Sequence, residues 1–174
     1  HGKYIMAQKE KVQDYLPDYC IRINKTISED HHRYFFPIAY KKDFIYNTKT
    51  IDSVNNQIEK SVLVTKKNEL VELDSKKIQQ IVSSYEFSND LKGIGLVYIY
   101  ESLAQVGNDK GTMWMAFINI ETKEVLFIQN TTSGVEGRTL EESWAYPVLS
   151  MLRKSKSDIN KWFEKPASYN LLNK

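Results

Sequence analysis

Apolar residues recur with a regular period mainly in the second half of the chain. Ile78, Ile81, Val82 and Tyr85 stand at i, i+3, i+4 and i+7, the spacing that lines one face of a helix. A helix over Asp74–Tyr85 is therefore expected, with Asp74 or Ser75 accepting the free amides of its first turn. Ile94–Leu103 follows Gly93, contains Gly95 and is mostly apolar. A strand buried on both faces has this pattern, so a central position in a sheet is expected. Val106–Thr112 reads as a polar loop. Met113–Ile120 and Val125–Gln129 flank the short polar stretch Glu121-Thr122-Lys123-Glu124, which predicts a β-hairpin.

Gly134–Gly137 reads as a loop, followed by a helix reaching about Leu152 and burying Val148, Leu149, Met151 and Leu152. Its start poses a problem. Thr139-Leu140-Glu141-Glu142 spells a capping box, but a helix beginning there carries Pro147 in its interior, at a cost of about 3 kcal/mol. That cost favours Ser143 as the cap, which moves Pro147 into the first turn, or a kink just before Pro147. A separate short helix near Asp158–Glu164 would bury Ile159, Trp162 and Phe163.

The N-terminal part, residues 1–70, is less regular. Tyr4–Met6 and Tyr19–Ile23 are short apolar runs that read as strands, and Pro17 separates the second from Val12–Leu16. Ser28–His32 reads as a polar turn. Arg33–Tyr40 is aromatic-rich and reads as a strand, with Pro37 arguing for an edge or a bulge. Phe44–Tyr46 reads as another short strand. Ile51, Val54 and Ile58 have helical spacing, and Val62–Thr65 has the look of a strand.

These elements predict one domain over residues 1–174, whose core strands, hairpin and helices lie in 74–165. The fold class is α/β of the α+β kind: a mixed, largely antiparallel sheet with helices packed against it. Its central strands fall near 94–103, 113–120 and 125–130, and its main helices near 74–85 and 143–153.

Composition narrows the function more than it names it. The 174 residues suit one core, and 41% hydrophobic with 26% charged residues is ordinary globular usage. The net charge is +2, and the cations, mostly Lys, are scattered, unlike the Arg-rich stripe of a nucleic-acid binder. No run is apolar and long enough for a transmembrane helix. Cys20 is the single cysteine, which excludes an internal disulfide and a multi-cysteine zinc site; it reads as a small buried hydrophobe. The start at His1-Gly2 fits an exported chain whose leader has been removed, or a tag remnant.

No constellation reaches a defined chemistry. His31-His32 beside Glu29 and Asp30 suggests a metal, but neighbours on a strand point to opposite faces, and a solvated turn is the simpler reading. Copper chelation by His1 would suit a β-sandwich, which the helical stretches oppose. Gly93-Ile94-Gly95 precedes a strand and lacks the third glycine of a dinucleotide fingerprint. Glu141/Glu142 and Glu29/Asp30 are sequence neighbours, whereas glycoside hydrolysis needs two carboxyls facing across a cleft. Asn24-Lys25-Thr26 and Asn130-Thr131-Thr132 match glycosylation sequons, which would be accidental if the source is bacterial. Two weaker signals remain. Gly137 and Arg138 lie in a loop before a helix, where amides and a guanidinium can hold an anion, although Glu136, Glu141 and Glu142 oppose it. Trp144, Tyr146 and Trp162 offer an aromatic platform for a sugar or a partner protein, or else pack a helix onto the sheet.

The block Gly93–Ser102 and the hairpin Met113–Phe127 resemble successive blocks in a family of small, uncharacterised exported proteins and lipoproteins of Gram-negative anaerobes. The resemblance continues through a Gly loop, an Arg and an aromatic-Trp-Ala step, here at Gly134, Gly137, Arg138, Trp144 and Ala145, and covers about residues 75 to 155. The loop departs from the family pattern by being poorer in Gly and Phe. The resemblance implies architecture and export to the periplasm or cell surface, with a lipid anchor in the precursor as an option, and no activity. A more distant, fold-level similarity is to α/β domains of periplasmic assembly and secretion proteins.

The expectation is thus an exported, non-enzymatic binding or envelope-assembly module that needs no cofactor or metal. Its partner is a protein or saccharide, its oligomeric state is open, and its candidate binding residues are Gly137, Arg138, Trp144 and Tyr146. The alternatives are a hydrolase acting on an envelope or dietary polymer, which requires convergent titratable groups in a deep pocket, and a small-ligand carrier.

Overall fold

The computed structural model describes residues 3–5, 16–30, 32–57, 72–104 and 110–165. In chain order these form β1 (Lys3–Ile5), α1 (Leu16–Glu29), α2 (Phe36–Tyr40), α3 (Lys49–Gln57), α4 (Ser75–Ser83), β2 (Ile94–Ala104), β3 (Lys110–Asn119), β4 (Val125–Gly134) and α5 (Leu140–Glu164). The four strands make one sheet in the order β1-β2-β3-β4. β1 runs parallel to β2, and the other two pairings are antiparallel. The α+β class and the β3–β4 hairpin follow the sequence pattern; β2 was expected to be central, but β1 pairs with it only at Ser102–Ala104, so over Ile94–Tyr100 it has a strand neighbour on one side alone among the described residues.

Both faces of the sheet are covered. On one side α1, α2 and α5 close over Met113, Met115, Phe117 and Phe127, with Tyr34, Tyr40, Trp144, Met151 and Trp162 in the same cluster. On the other, Ile78, Ile81, Val82 and Tyr85 pack on Val97, Ile99, Ala116 and Ile118. β2 alternates between these layers, with Leu96, Tyr98 and Tyr100 toward the first and Val97 and Ile99 toward the second. Asp74 caps α4 by accepting the Lys77 amide at 2.8 Å.

Several expectations of the N-terminal part are corrected. Tyr19–Ile23 is helical, within α1, and Pro17 is the second residue of that helix. Tyr19, Ile23 and Ile27 stand four apart and pack on the first cluster; a five-residue apolar run read alone does not separate that stripe from a strand. Arg33–Tyr40 holds the short helix α2, with Pro37 in its first turn, where a missing amide costs nothing. Phe44–Tyr46 is irregular, and Ile45 is 90% exposed. Ile51 and Val54 lie in α3, while Ile58 and Val62–Thr65 fall outside the described residues. The polar turn is shorter than expected, because Ser28 and Glu29 end α1, and β3 already begins at Lys110.

The C-terminal helix also differs from expectation. Ser143 is not its cap, and no break precedes Asp158: α5 runs unbroken for 25 residues with Pro147 inside. Thr139 caps it, its hydroxyl accepting the Glu142 amide at 3.2 Å while the Glu142 carboxylate accepts the Arg138 amide at 2.8 Å. Tertiary contacts offset the cost of the proline. The Tyr100 hydroxyl donates to the Trp144 carbonyl at 2.5 Å, beside the Ser143 carbonyl that loses its helical donor. The buried proline ring also lies on β3, so close that a Cβ at Gly111 would meet its Cγ at 2.6 Å.

Candidate functional site

The two edges of the sheet are built differently, and the difference locates the site. In the β2–β3 ladder the Gly93 carbonyl accepts from the Ile120 amide at 2.9 Å, with Gly95 opposite Ile118 and Val97 opposite Ala116. Hydrogen-bonded pairs alternate in an antiparallel ladder, so the odd-numbered residues bond to β3. The amides and carbonyls of Ile94, Leu96, Tyr98 and Tyr100 consequently point away from it. β1 covers only Ser102, Leu103 and Ala104. Among the described residues, no hydrogen bond reaches the outward main chain of Ile94–Tyr100.

A cavity of about 640 Å³ lies along this open edge. Consecutive residues 94 to 100 line it, which requires side chains from both faces of β2 and so places it at the strand's margin. Its other walls come from α1 through Ile23 and Ile27, from residues 42–48 ahead of α3, from Ile51 of α3, and from Tyr85 and Phe87 after α4. The lining is mainly aliphatic and aromatic, and its charged members among the described residues are Lys42, Asp43 and Lys92. Cys20 also lines it, half-buried.

Four tyrosines, with Asn24, Ser28, Asn47, Thr48, Thr50 and Asn55, supply the uncharged polar groups of the wall. Burial holds the Tyr98 and Tyr100 hydroxyls well above the usual phenol range, and neighbouring Tyr40 acts in the same direction on Tyr98. Burial likewise pushes Tyr85 up to about 12. Tyr100 has its partner in the Trp144 carbonyl, and the buried Tyr98 hydroxyl lies beside that of Tyr40. Hydroxyls held neutral in this way serve as hydrogen-bond donors.

The residues singled out in the sequence lie elsewhere. Arg138 is exposed, and its amide is taken by Glu142. Gly137 is exposed as well, and a Cβ there would collide with the Ser143 backbone nitrogen, so the glycine serves the tight entry into α5. Trp144 is 1% exposed, edge-on to Tyr19 with ring centroids 5.7 Å apart, and Trp162 is buried against Phe117 and Phe127. Both Trp side chains pack α5 onto the sheet, so neither forms an exposed platform. Tyr146 is half-buried against the same cluster.

Among the described residues, no three His, Cys, Asp or Glu side chains gather as a metal site; His1 and His31 fall outside those residues. The cleft escaped the sequence reading because its walls come from segments scattered between Cys20 and Phe163. The apolar surplus of Phe44–Tyr46 was its one visible trace.

Fold and site define an α+β protein with an apolar cleft along a strand edge that is unpaired among the described residues. No family model, no curated protein and no solved structure matches this chain. No helix among the described residues is long and apolar enough to cross a membrane.

Proposed function

We propose that this protein is a non-enzymatic binding module that holds an elongated, largely apolar ligand in the cleft along β2. One observation carries the reading: about 640 Å³ of space walled by aliphatic and aromatic side chains, a volume within the usual range for ligand sites. The wall presents neutral tyrosine hydroxyls and no gathered acid, base and nucleophile among its described residues, which favours binding over the hydrolase alternative. Export to the periplasm or cell surface belongs to the same proposal and rests on the family resemblance. Cell fractionation of the full-length precursor tests it, and recovery from the cytosol would count against it.

The binding claim is tested by titration with a fluorescent long-chain fatty acid. Saturable, one-to-one binding is expected. Ile27→Trp, which fills the cleft from α1, should weaken it about tenfold while leaving the circular-dichroism spectrum unchanged. Absence of saturable binding, or indifference to Ile27→Trp, would reject the cleft as an apolar binding site.

A further inference from the structure

We infer that the occupant of this cleft is an extended peptide segment that adds to the sheet as a strand beside β2, an inference that rests on the proposed binding role. The hydrogen-bonding pattern distinguishes a peptide from other apolar ligands. Ile94, Leu96, Tyr98 and Tyr100 each present an outward amide and carbonyl, spaced about 7 Å apart at two residues per repeat. These groups front an apolar cavity. An acyl chain seated there gains the apolar walls but offers these donors and acceptors no partner, so it should bind less tightly than a ligand that pairs them. An extended peptide repeats its own donors and acceptors at the same spacing. Its alternate side chains would enter the apolar walls on either side of the strand.

The edge already pairs in this manner. β1 lies parallel to β2 at Ser102–Ala104, and a guest strand would continue that row toward Ile94. The opposite margin of the sheet is unlike it. There the Lys154 ammonium donates to the Thr132 carbonyl at 3.3 Å, and Asn130 and Thr132 are polar and exposed. A lysine seated on an edge carbonyl opposes strand addition, so the two margins are not equivalent targets.

The test uses the whole chain and blocked nine-residue peptides in which valine or isoleucine alternates with threonine or lysine. A matched set carries N-methyl groups on every second amide, in both registers. Binding is followed by displacement of the fluorescent fatty acid and by amide exchange in NMR. The expected result is displacement by the plain peptides, about tenfold weaker binding for one N-methyl register, and slowed exchange at Leu96, Tyr98 and Tyr100. Val97 and Ile99, already in the β3 ladder, should change little.

Equal binding of both N-methyl registers and the plain peptide would overturn strand addition. Fatty-acid binding that no peptide displaces would overturn the inference and leave the apolar cleft standing. If neither probe binds, both readings fail. A concentration-dependent dimer that protects the same three amides, and that the peptides do not dissociate, would assign the edge to a second copy of this chain and overturn the peptide inference.

Discussion

The two margins of the sheet are made from the same polymer under opposite constraints. β4 lies under the long helix α5, and its outer carbonyl at Thr132 is occupied by Lys154. β2 carries alternating apolar side chains into both layers, and its outward main chain from Ile94 to Tyr100 faces a cavity. The β4 margin gains stability from burial under α5 and from a lysine seated on one of its carbonyls. An open one leaves donors and acceptors whose pairing can be supplied from outside. The lesson is that in this fold the stabilising role and the proposed binding role fall on different regions.

The largest effect is expected in the packed core that both margins share. Phe117 is 1% exposed and touches Tyr40, Phe127, Trp162 and Phe163. Phe117→Ala should cost about 3–5 kcal/mol in urea unfolding, whereas Ile45→Ala, at a residue 90% exposed on the cleft rim, should change stability by less than about 0.5 kcal/mol. Similar losses for the two would erase the distinction.

Next comes the contact between strand and helix. Gly111→Ala places a Cβ against the Pro147 ring and should cost about 1–3 kcal/mol. The penalty should shrink in a Pro147→Ala background, because the two positions share one space. Full additivity in that double-mutant cycle would show the contact to be irrelevant.

Alkaline pH probes both layers. Burial raises Tyr34 and Tyr85 from the ordinary value of 10 to about 12. The folded state therefore keeps protons that the unfolded chain releases, so this contribution is complete below pH 10 and is lost as pH rises from about 10 to about 12. Tyr85 alone would remove about 1.4 kcal/mol per pH unit across that window. Denaturant midpoints that stay flat to pH 12 would contradict the burial of these phenols.

The smallest effect sharpens the comparison directly. Lys154→Met removes the donors to the Thr131 hydroxyl and the Thr132 carbonyl and should cost about 1 kcal/mol. It should also make the β4 margin adhesive, read as higher-order species in sedimentation. A variant that stays as monodisperse as the parent chain would show that Lys154 is not what closes that margin.

Legibility followed the length of the periodic signal. α4 and the β3–β4 hairpin repeat their apolar positions over nine or more residues, and their positions in the chain were readable. The runs Tyr19–Ile23 and Arg33–Tyr40 are too short to separate a strand from one face of a helix, and each folds as a helix. Pro147 shows the opposite failure. The local rule against proline inside a helix is sound, but it omits the Tyr100 hydroxyl and the Gly111 hollow, which come from strands more than 35 positions away. Gly137, Arg138, Trp144 and Tyr146 were visible as chemistry, yet a residue type does not reveal which way its side chain faces.

The sequence alone determined the class of the fold, the helix that starts at Asp74 or Ser75, the β3–β4 hairpin and the lack of a membrane-spanning apolar helix, since period, capping chemistry and run length are local quantities. Tertiary structure alone decided that α5 passes through its proline, that Trp144 is interior and that one strand edge has no partner over Ile94–Tyr100 among the described residues. Each of those depends on which distant segments share a space, and free energy of burial and pairing is settled only when they meet.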